Sequence, residues 1–352
     1  MPRKVLMCGN DACGEGAILA GCRFYAGYPI TPQNELTAYM AKRMDEVGGV
    51  FIQAESELAA INMVFGAACT GARAMTSSSS PGISLKQEGI SYLVGCELPA
   101  VVVNVQRGGP GLGNIAPAQG DYFQATKGGG HGDYHTIVLA PASVEEMLQF
   151  TFDAFDLADA YRNPVIVLAD GLLGQMMEPI SSRSLELVPR NVARDRSWIL
   201  TGCKGRRPRM IRSLLLAEGA LEEHNKKLQA KFAKMRESEV RYECLRERDS
   251  TVMIVAYGSI ARIAKSVMEM ARTKGIKAGV LRPISLWPFP YEVLGELSGK
   301  IKKFLVVEMS AGQMVEDVRL GVNGKADVHF YGRMGGGIPA EGEILRKIEE
   351  LL

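Results

Sequence analysis

With 352 residues the chain is long enough for two domains, at roughly one per 150 residues. A hydrophobic fraction of 47% and a charged fraction of 23% describe an ordinary globular protein, and a net charge of +2 gives no support for a nucleic-acid or polyanion partner. No apolar run approaches the roughly 18 residues of a membrane span, and MPRKVLMCGN lacks a signal peptide's apolar core, so a cytoplasmic location without membrane contact is expected. Cys8, Cys13, Cys22, Cys69, Cys96, Cys203 and Cys244 form no CxxC pair, and their spacing fits neither zinc nor an iron–sulfur cluster. Most are expected to be small buried hydrophobes in a reducing compartment.

The chain opens with a strand over KVLMC (4–8). GNDACGEG (9–16) follows it but lacks the GxGxxG spacing of a dinucleotide site. In FYAGYPITPQNEL (24–36) one hydroxyl residue, Thr31, stands between Pro29 and Pro32. Each proline pushes the preceding residue out of the α region, so Thr31 is expected to be extended, with Pro32 opening a helix over 32–46. Thr31 would then be an N-cap beside free N–H groups, a position suited to a carboxylate. An ordinary N-cap with a proline start fits these residues equally well.

A strand over VFIQA (50–54) precedes QAESELAAINMVFGAACTGAR (53–73), with a helix over 57–70. Were Glu55 and Glu57 both helical they would point roughly 200° apart, so one alone can face a given pocket. Burial among Ala, Met and Phe would favour the neutral acid for proton work. Two helix-start carboxylates complementing the dipole are the simpler alternative. TSSSSPGISLKQ (76–87) is a strand–loop–helix junction rich in hydroxyls, either a polar lining or a well-capped turn, between a strand at 72–77 and a helix at 83–94.

NVQRGGPGLG (104–113) follows the strand AVVVNV (100–105), placing Arg107 at a strand's C-terminal end, where open α/β sheets bind ligands. It could fork onto a carboxylate or be a surface arginine at a turn. KGGGHGDYH (127–135) is a glycine loop holding His131 and His135. Strands at 136–140 and 164–170 flank a helix over 143–160, and the alternation indicates a parallel sheet covered on both faces. ADGLLGQ (169–175) vaguely resembles a thiamine-diphosphate magnesium motif, but Ala169 replaces its first glycine, and no metal is expected there.

Three parts are expected: an α/β domain over 1–185, a charged helical linker over 186–249, and a second α/β domain over 250–352. The linker holds the basic CKGRRPRMIR (203–212) and a helix within 217–248 whose charges read as a solvent face. In the last part strands are expected at 251–258, 277–283, 303–309 and 328–332, with a helix over 259–275 ended by Gly275.

GYPITP, AESELAAINMVFGAACTGARAMTSSSSPGISL, VNVQRGGPGLG, QGDYFQATKGGGHGDYH, LAPASVEE and LRPISLWPFP, in that order across the chain, resemble the 2-oxoacid:ferredoxin oxidoreductases. The resemblance is to the subunit that fuses domains I and II. It implies a pyrimidine-binding domain of thiamine-diphosphate folds followed by a transketolase C-terminal-like domain. By motif position Glu57 would bond N1′ of the aminopyrimidine and promote loss of the thiazolium C2 proton. The Pro29 carbonyl would touch the 4′ nitrogen. Thr31 and Arg107 would meet the substrate's carboxylate, with His131 a further candidate.

The implied reaction turns a 2-oxoacid and coenzyme A into acyl-CoA and CO₂, with electrons passing to ferredoxin. Lacking cluster cysteines and the GDG motif, the chain would supply half a composite site. Partner subunits would carry the diphosphate site, Mg²⁺ and [4Fe–4S], and the isolated chain would be inactive. TSSSSPGISL and KGGGHGDY resemble the 2-ketoisovalerate type more than the 2-oxoglutarate type, where TSGPG-like and WGTHGDH segments are more usual. A pyruvate- or 2-oxoglutarate-specific member, a lipoamide-linked dehydrogenase component, an NAD-linked oxidoreductase and a non-catalytic scaffold are the alternatives.

Overall fold

The computed structural model describes residues 4–188 and 196–352. In chain order come β1 (Lys4–Cys8), α1 (Gly9–Leu19), β2 (Phe24–Gly27), α2 (Asn34–Glu46), β3 (Val50–Gln53), α3 (Glu57–Cys69), β4 (Ala74–Ser78) and α4 (Ser80–Gly95). Then follow β5 (Ala100–Gln106), α5 (Tyr122–Thr126), β6 (Ile137–Leu139), α6 (Val144–Tyr161), β7 (Pro164–Asp170), α7 (Gly171–Gln175) and β8 (Met177–Ser181). Beyond a short 3₁₀ turn lie α8 (Ala220–Ser238), β9 (Tyr242–Leu245), β10 (Val252–Val255), α9 (Gly258–Thr273), β11 (Ala278–Pro283) and β12 (Ser285–Trp287). The chain ends with α10 (Tyr291–Leu297), β13 (Lys303–Glu308), α11 (Met314–Val322), β14 (Asp327–Gly332) and α12 (Glu341–Leu351).

Two sheets result. The first runs β12-β6-β7-β5-β4-β2-β3 and the second β14-β13-β10-β11-β9. Each is parallel except for one antiparallel edge strand, β12 in the first and β9 in the second. The wholly buried AVVVNVQ and PVIVLAD strands lie mid-sheet, as continuous apolar runs covered on both faces must. In β10 the pleat sends Met253 and Val255 into the core shared with the first sheet, and Val252 and Ile254 into a separate core with α9 and α12.

Several elements differ from expectation, four of them in ways that bear on how the sheets assemble. KVLMC is a strand, but it pairs antiparallel with β8 in a separate ribbon, because only one of its faces is covered and Leu6 is 62% exposed. GNDACGEG forms the buried helix α1, whose glycines permit close packing: a Cβ on Gly16 would stand 2.2 Å from the Leu148 carbonyl oxygen of α6. The charged segment 217–248 is helical only over Ala220–Ser238, and Tyr242–Leu245 then pairs with β11 as a sheet edge. Ser285–Trp287, not foreseen as a strand, crosses to the first sheet.

Side chains tie the two sheets together. Gln119 donates to the Tyr257 carbonyl (3.0 Å) and accepts from Met309 N (3.0 Å), while Tyr122 Oη donates to Asp317 (2.6 Å). Cys13, Cys22 and Cys69 are buried, and burial pushes the Cys13 and Cys22 thiols up to about 12. Gly16→Ala should lower stability by about 1–3 kcal/mol through overpacking. Gly66→Ala, mid-helix with open space around its Cβ, should raise it by up to ~1 kcal/mol. Denaturant unfolding of the two variants checks both signs.

Candidate active site

Strand order turns the first sheet into a binding crevice. From β2 the chain moves outward to β3, then returns to place β4 on the other side of β2. Ligands of open α/β sheets bind at such a switch point, beyond the carboxyl ends of the strands. Pro29 and Thr31 follow β2, Glu57 follows β3, Ser79 and Ser80 follow β4, and Arg107 follows β5. Four separate sequence segments therefore deliver their polar residues to one edge.

Glu57 opens α3, whose N-cap Ser56 accepts from Ala59 N (3.1 Å). Extended backbone at Ser56 leaves Glu55 exposed before the helix and turns Glu57 inward, 6% exposed. Its carboxylate lies over Gly82 of α4: a Cβ there would meet Glu57 Oε1 at 2.5 Å and Ser78 Oγ at 2.1 Å. Glycine is the residue that lets this carboxylate reach the crevice. The hydroxyls of Ser78 and Ser79 are buried without hydrogen-bond partners. Lys86, one turn further along α4 and fully buried, donates from Nζ to the Glu57 carbonyl (3.3 Å). Burial pushes its ammonium down to about 7, while Glu57 pulls the other way.

Arg107, 7% exposed, donates from Nη1 to the Thr31 carbonyl (3.0 Å) and from Nη2 to the Leu112 carbonyl (2.9 Å). Its Nε is buried without a partner, and it forms no ion pair with a carboxylate among the described residues. Ser80 Oγ accepts from Arg107 N (3.1 Å) and donates to Asp121 Oδ2 (2.6 Å), which also accepts from Asn104 Nδ2 (2.9 Å). Burial raises the Asp121 carboxyl above its usual range, its hydrogen bonds opposing. Thr31 and Arg107 are thus in contact, though not with Thr31 as a cap.

α2 begins at Asn34, with Gln33 in the cap position, and Ile30 O accepts from Gln33 N (3.1 Å) in a turn before the helix. The Pro32 carbonyl is taken by the side-chain amides of Asn10 (2.8 Å) and Gln175 (2.9 Å), contacts from distant segments that hold the proline outside the helix. The Thr31 hydroxyl accepts from Asn34 Nδ2 (3.3 Å). Beneath this loop Gln33 Oε1 accepts from Ser77 Oγ (2.5 Å) and Thr37 Oγ1 (3.2 Å), and Tyr25 Oη bonds Ser77 Oγ (2.6 Å).

His131 is exposed, edge-on to Tyr92, and its carbonyl accepts from Ser91 Oγ (2.8 Å). Nine residues of α4 separate Gly82 from Ser91, roughly 14 Å of helix, so His131 is not gathered with Glu57. His135 stacks on Trp287 (4.5 Å between centroids), and burial lowers its pKa. Asp170 caps α7 through Leu172 N (3.0 Å) and Leu173 N (3.1 Å), and accepts from Ser259 Oγ (2.6 Å). Lys86 and Asp121 were not foreseen. Lys86 had a signal: with Ile83 and Ile90 it falls on the buried stripe of α4.

The comparisons decide the family. Residues 15–240 match pyruvate flavodoxin/ferredoxin oxidoreductase, thiamine-diphosphate-binding, and residues 250–344 match pyruvate:ferredoxin oxidoreductase core domain II. The chain belongs to the 2-oxoacid:ferredoxin oxidoreductases. It is 52% identical over 97% of its length, and 96% of the relative's, to ketoisovalerate oxidoreductase subunit VorB of Methanothermobacter marburgensis. It is 43% identical, over 89% of this chain and 90% of the relative, to 2-oxoglutarate synthase subunit KorA of Archaeoglobus fulgidus.

Among solved structures, a 2-oxoglutarate:ferredoxin oxidoreductase from Magnetococcus marinus with 2-oxoglutarate, coenzyme A and succinyl-CoA bound superposes with a TM-score of 0.88 at 28% identity. That match covers 99% of this chain and 65% of the solved one. A split-gene transketolase, an inactive β4 tetramer, shares the fold at a TM-score of 0.58 and 13% identity, over 98% of this chain and 97% of its own. This oxidoreductase subunit is therefore an α/β chain of the thiamine-diphosphate-binding and transketolase-like kind.

The residues fit the aminopyrimidine end of thiamine diphosphate. A buried carboxylate without a hydrogen bond from the described residues and two orphaned hydroxyls, Ser78 and Ser79, offer acceptors and donors at one place. The diphosphate end finds less: no group of three metal-ligating side chains occurs among the described residues, and Asp170 is spent on hydrogen bonds. Gly82→Ala should displace the Glu57 carboxylate and cut turnover of the assembled enzyme by about a hundredfold, the cost of an ångström-scale misplacement. Steady-state assay beside circular dichroism of the variant checks that the loss is not one of folding.

Proposed function

We propose that this oxidoreductase subunit supplies the aminopyrimidine and carboxylate-binding half of a composite site. There a 2-oxoacid of the branched-chain, 2-ketoisovalerate type reacts with coenzyme A to give acyl-CoA and CO₂, and two electrons pass to ferredoxin. The observation that carries this reading is Arg107: a buried guanidinium held by main-chain carbonyls, lacking a carboxylate partner among the described residues, beside Thr31. Such a charge is costly without an anion and well placed for a substrate carboxylate. Partner subunits supply the diphosphate site, Mg²⁺ and [4Fe–4S], and the chain works in the cytoplasm.

The chain's own residues bind, orient and hold a proton. Arg107 and the Thr31 hydroxyl fix the carboxylate that leaves as CO₂, reducing the entropic cost of the reactive geometry. With the cofactor bound, Glu57 would hold a proton toward N1′ of the aminopyrimidine, and the Pro29 carbonyl, which accepts no bond from the described residues of the loop around it, would receive the 4′ amino group. Thiamine diphosphate, when bound, supplies the carbon nucleophile. A branched aliphatic side chain needs no second cationic clamp, in keeping with the 52% identical ketoisovalerate relative. His131 has no part in this reading.

The purified complex should prefer 2-ketoisovalerate over pyruvate and 2-oxoglutarate in a ferredoxin-reduction assay. Preference for 2-oxoglutarate would instead place it with the 43% identical relative's named substrate. Glu57→Gln should abolish exchange of the thiazolium C2 proton, and wild-type exchange would overturn the assignment. Arg107→Lys, which keeps the charge but loses the fork, should raise KM for the 2-oxoacid about tenfold or more. The isolated chain should neither turn over nor bind the cofactor tightly.

A further inference from the structure

Lys86 is a buried charged group beside Glu57 with no role in the proposed reaction. It lies on α4 four residues beyond Gly82, on the same face of the helix. Helical side chains lean toward the helix N-terminus, so its ammonium runs back toward the place where the Glu57 carboxylate crosses Gly82. There it is fully buried, with its one hydrogen bond among the described residues reaching the Glu57 carbonyl at 3.3 Å. An ammonium carries three donors, and leaving two in an apolar surround is costly. Packing alone would be served better by Met or Leu at this point of the Ile83–Ile90 stripe.

We propose that Lys86 is a positioning residue for Glu57, clamping the first turn of α3 through the Glu57 carbonyl so that the side chain is held over Gly82. Two independent features converge on this. The geometry joins the lysine to the residue's main chain from behind, while glycine at position 82 admits the carboxylate from the side. The electrostatics are equally selective. Burial lowers the lysine's proton affinity and Glu57 is the one charged group among the described residues that raises it, leaving it near 7. Asp121 and Arg107, one turn nearer the helix start around Ser80, do not act on it appreciably. Loss of the negative charge at position 57 should therefore lower the lysine's proton affinity further. The inference rests on the assignment of Glu57 to the cofactor's ring only for its catalytic consequence.

Its test therefore has one arm that needs no cofactor. In the full chain labelled with ¹³Cε-lysine, Lys86, identified by its loss in Lys86→Arg, should titrate by NMR near pH 7. Glu57→Gln should move that midpoint down by about one unit or more. An unchanged midpoint overturns the proposal. In the assembled enzyme Lys86→Met should lower kcat about tenfold or more while leaving KM for the 2-oxoacid close to wild type, because the carboxyl is displaced and the carboxylate-binding residues are not. Lys86→Arg, which keeps a donor to the Glu57 carbonyl, should restore most of kcat. A Lys86→Met kcat equal to wild type also overturns it, and should Lys86→Met fail to fold, the Glu57→Gln titration decides alone. If Glu57→Gln keeps full C2 exchange while shifting the lysine's midpoint, the thiamine assignment fails and the coupling stands.

Discussion

A guanidinium sealed between main-chain carbonyls is the constraint around which this crevice is built. Arg107 reaches the Thr31 carbonyl with one nitrogen and the Leu112 carbonyl with another. The end of β5 is thereby tied to the loop after β2 and to its own glycine-rich continuation. Carbonyl dipoles solvate the charge without cancelling it, and no carboxylate among the described residues neutralises it. The Tyr25–Ser77–Gln33–Thr37 bonds beneath stiffen the same loop from the sheet side. A loop fixed from both sides presents its carbonyls and the Thr31 hydroxyl without further reorganisation, which is the arrangement electrostatic catalysis requires.

The second sheet is more than an appendage to this machinery. Gln119 bridges Tyr257 and Met309, Asn114 donates to the Gly335 carbonyl (2.9 Å), and Asp317 accepts from Tyr122. The segment that leaves Arg107 is thus held along its length by residues more than a hundred positions away. Buried polar bonds of this kind fix register between packed surfaces more sharply than apolar contact does. In the second sheet itself, Glu308 accepts from Met314 N and Val315 N at the start of α11, so a carboxylate of the chain already fills the helix end where an anion would otherwise bind.

Part of the crevice is legible in the residues alone. They leave Glu55 and Glu57 both open, and the family resemblance singles out Glu57, whereas Arg107 draws notice because it directly follows an apolar strand. Thr31 is expected as a helix N-cap, and the structure gives it a different local setting. Two prolines make a helix start plausible, yet amides from Asn10 and Gln175 claim the Pro32 carbonyl, and nothing local announces such distant partners. α1 was missed for a related reason: its glycines lower helix propensity and serve close approaches to distant elements, Gly9 to α7, Gly14 to α2 and Gly16 to α6. The edge strands β9 and β12 are four and three residues long with partners far along the chain, so their pairing is a tertiary event.

That β12 closes the edge of the first sheet has a bearing on biosynthesis. β6 acquires its outer neighbour only when residues 285–287 have left the ribosome, long after the rest of that sheet can assemble. Through the interval the nascent polypeptide carries an unpaired, wholly apolar rim, Ile137–Leu139, of the sort that recruits strangers. In the finished subunit the antiparallel pairing of β12 removes that edge from solvent.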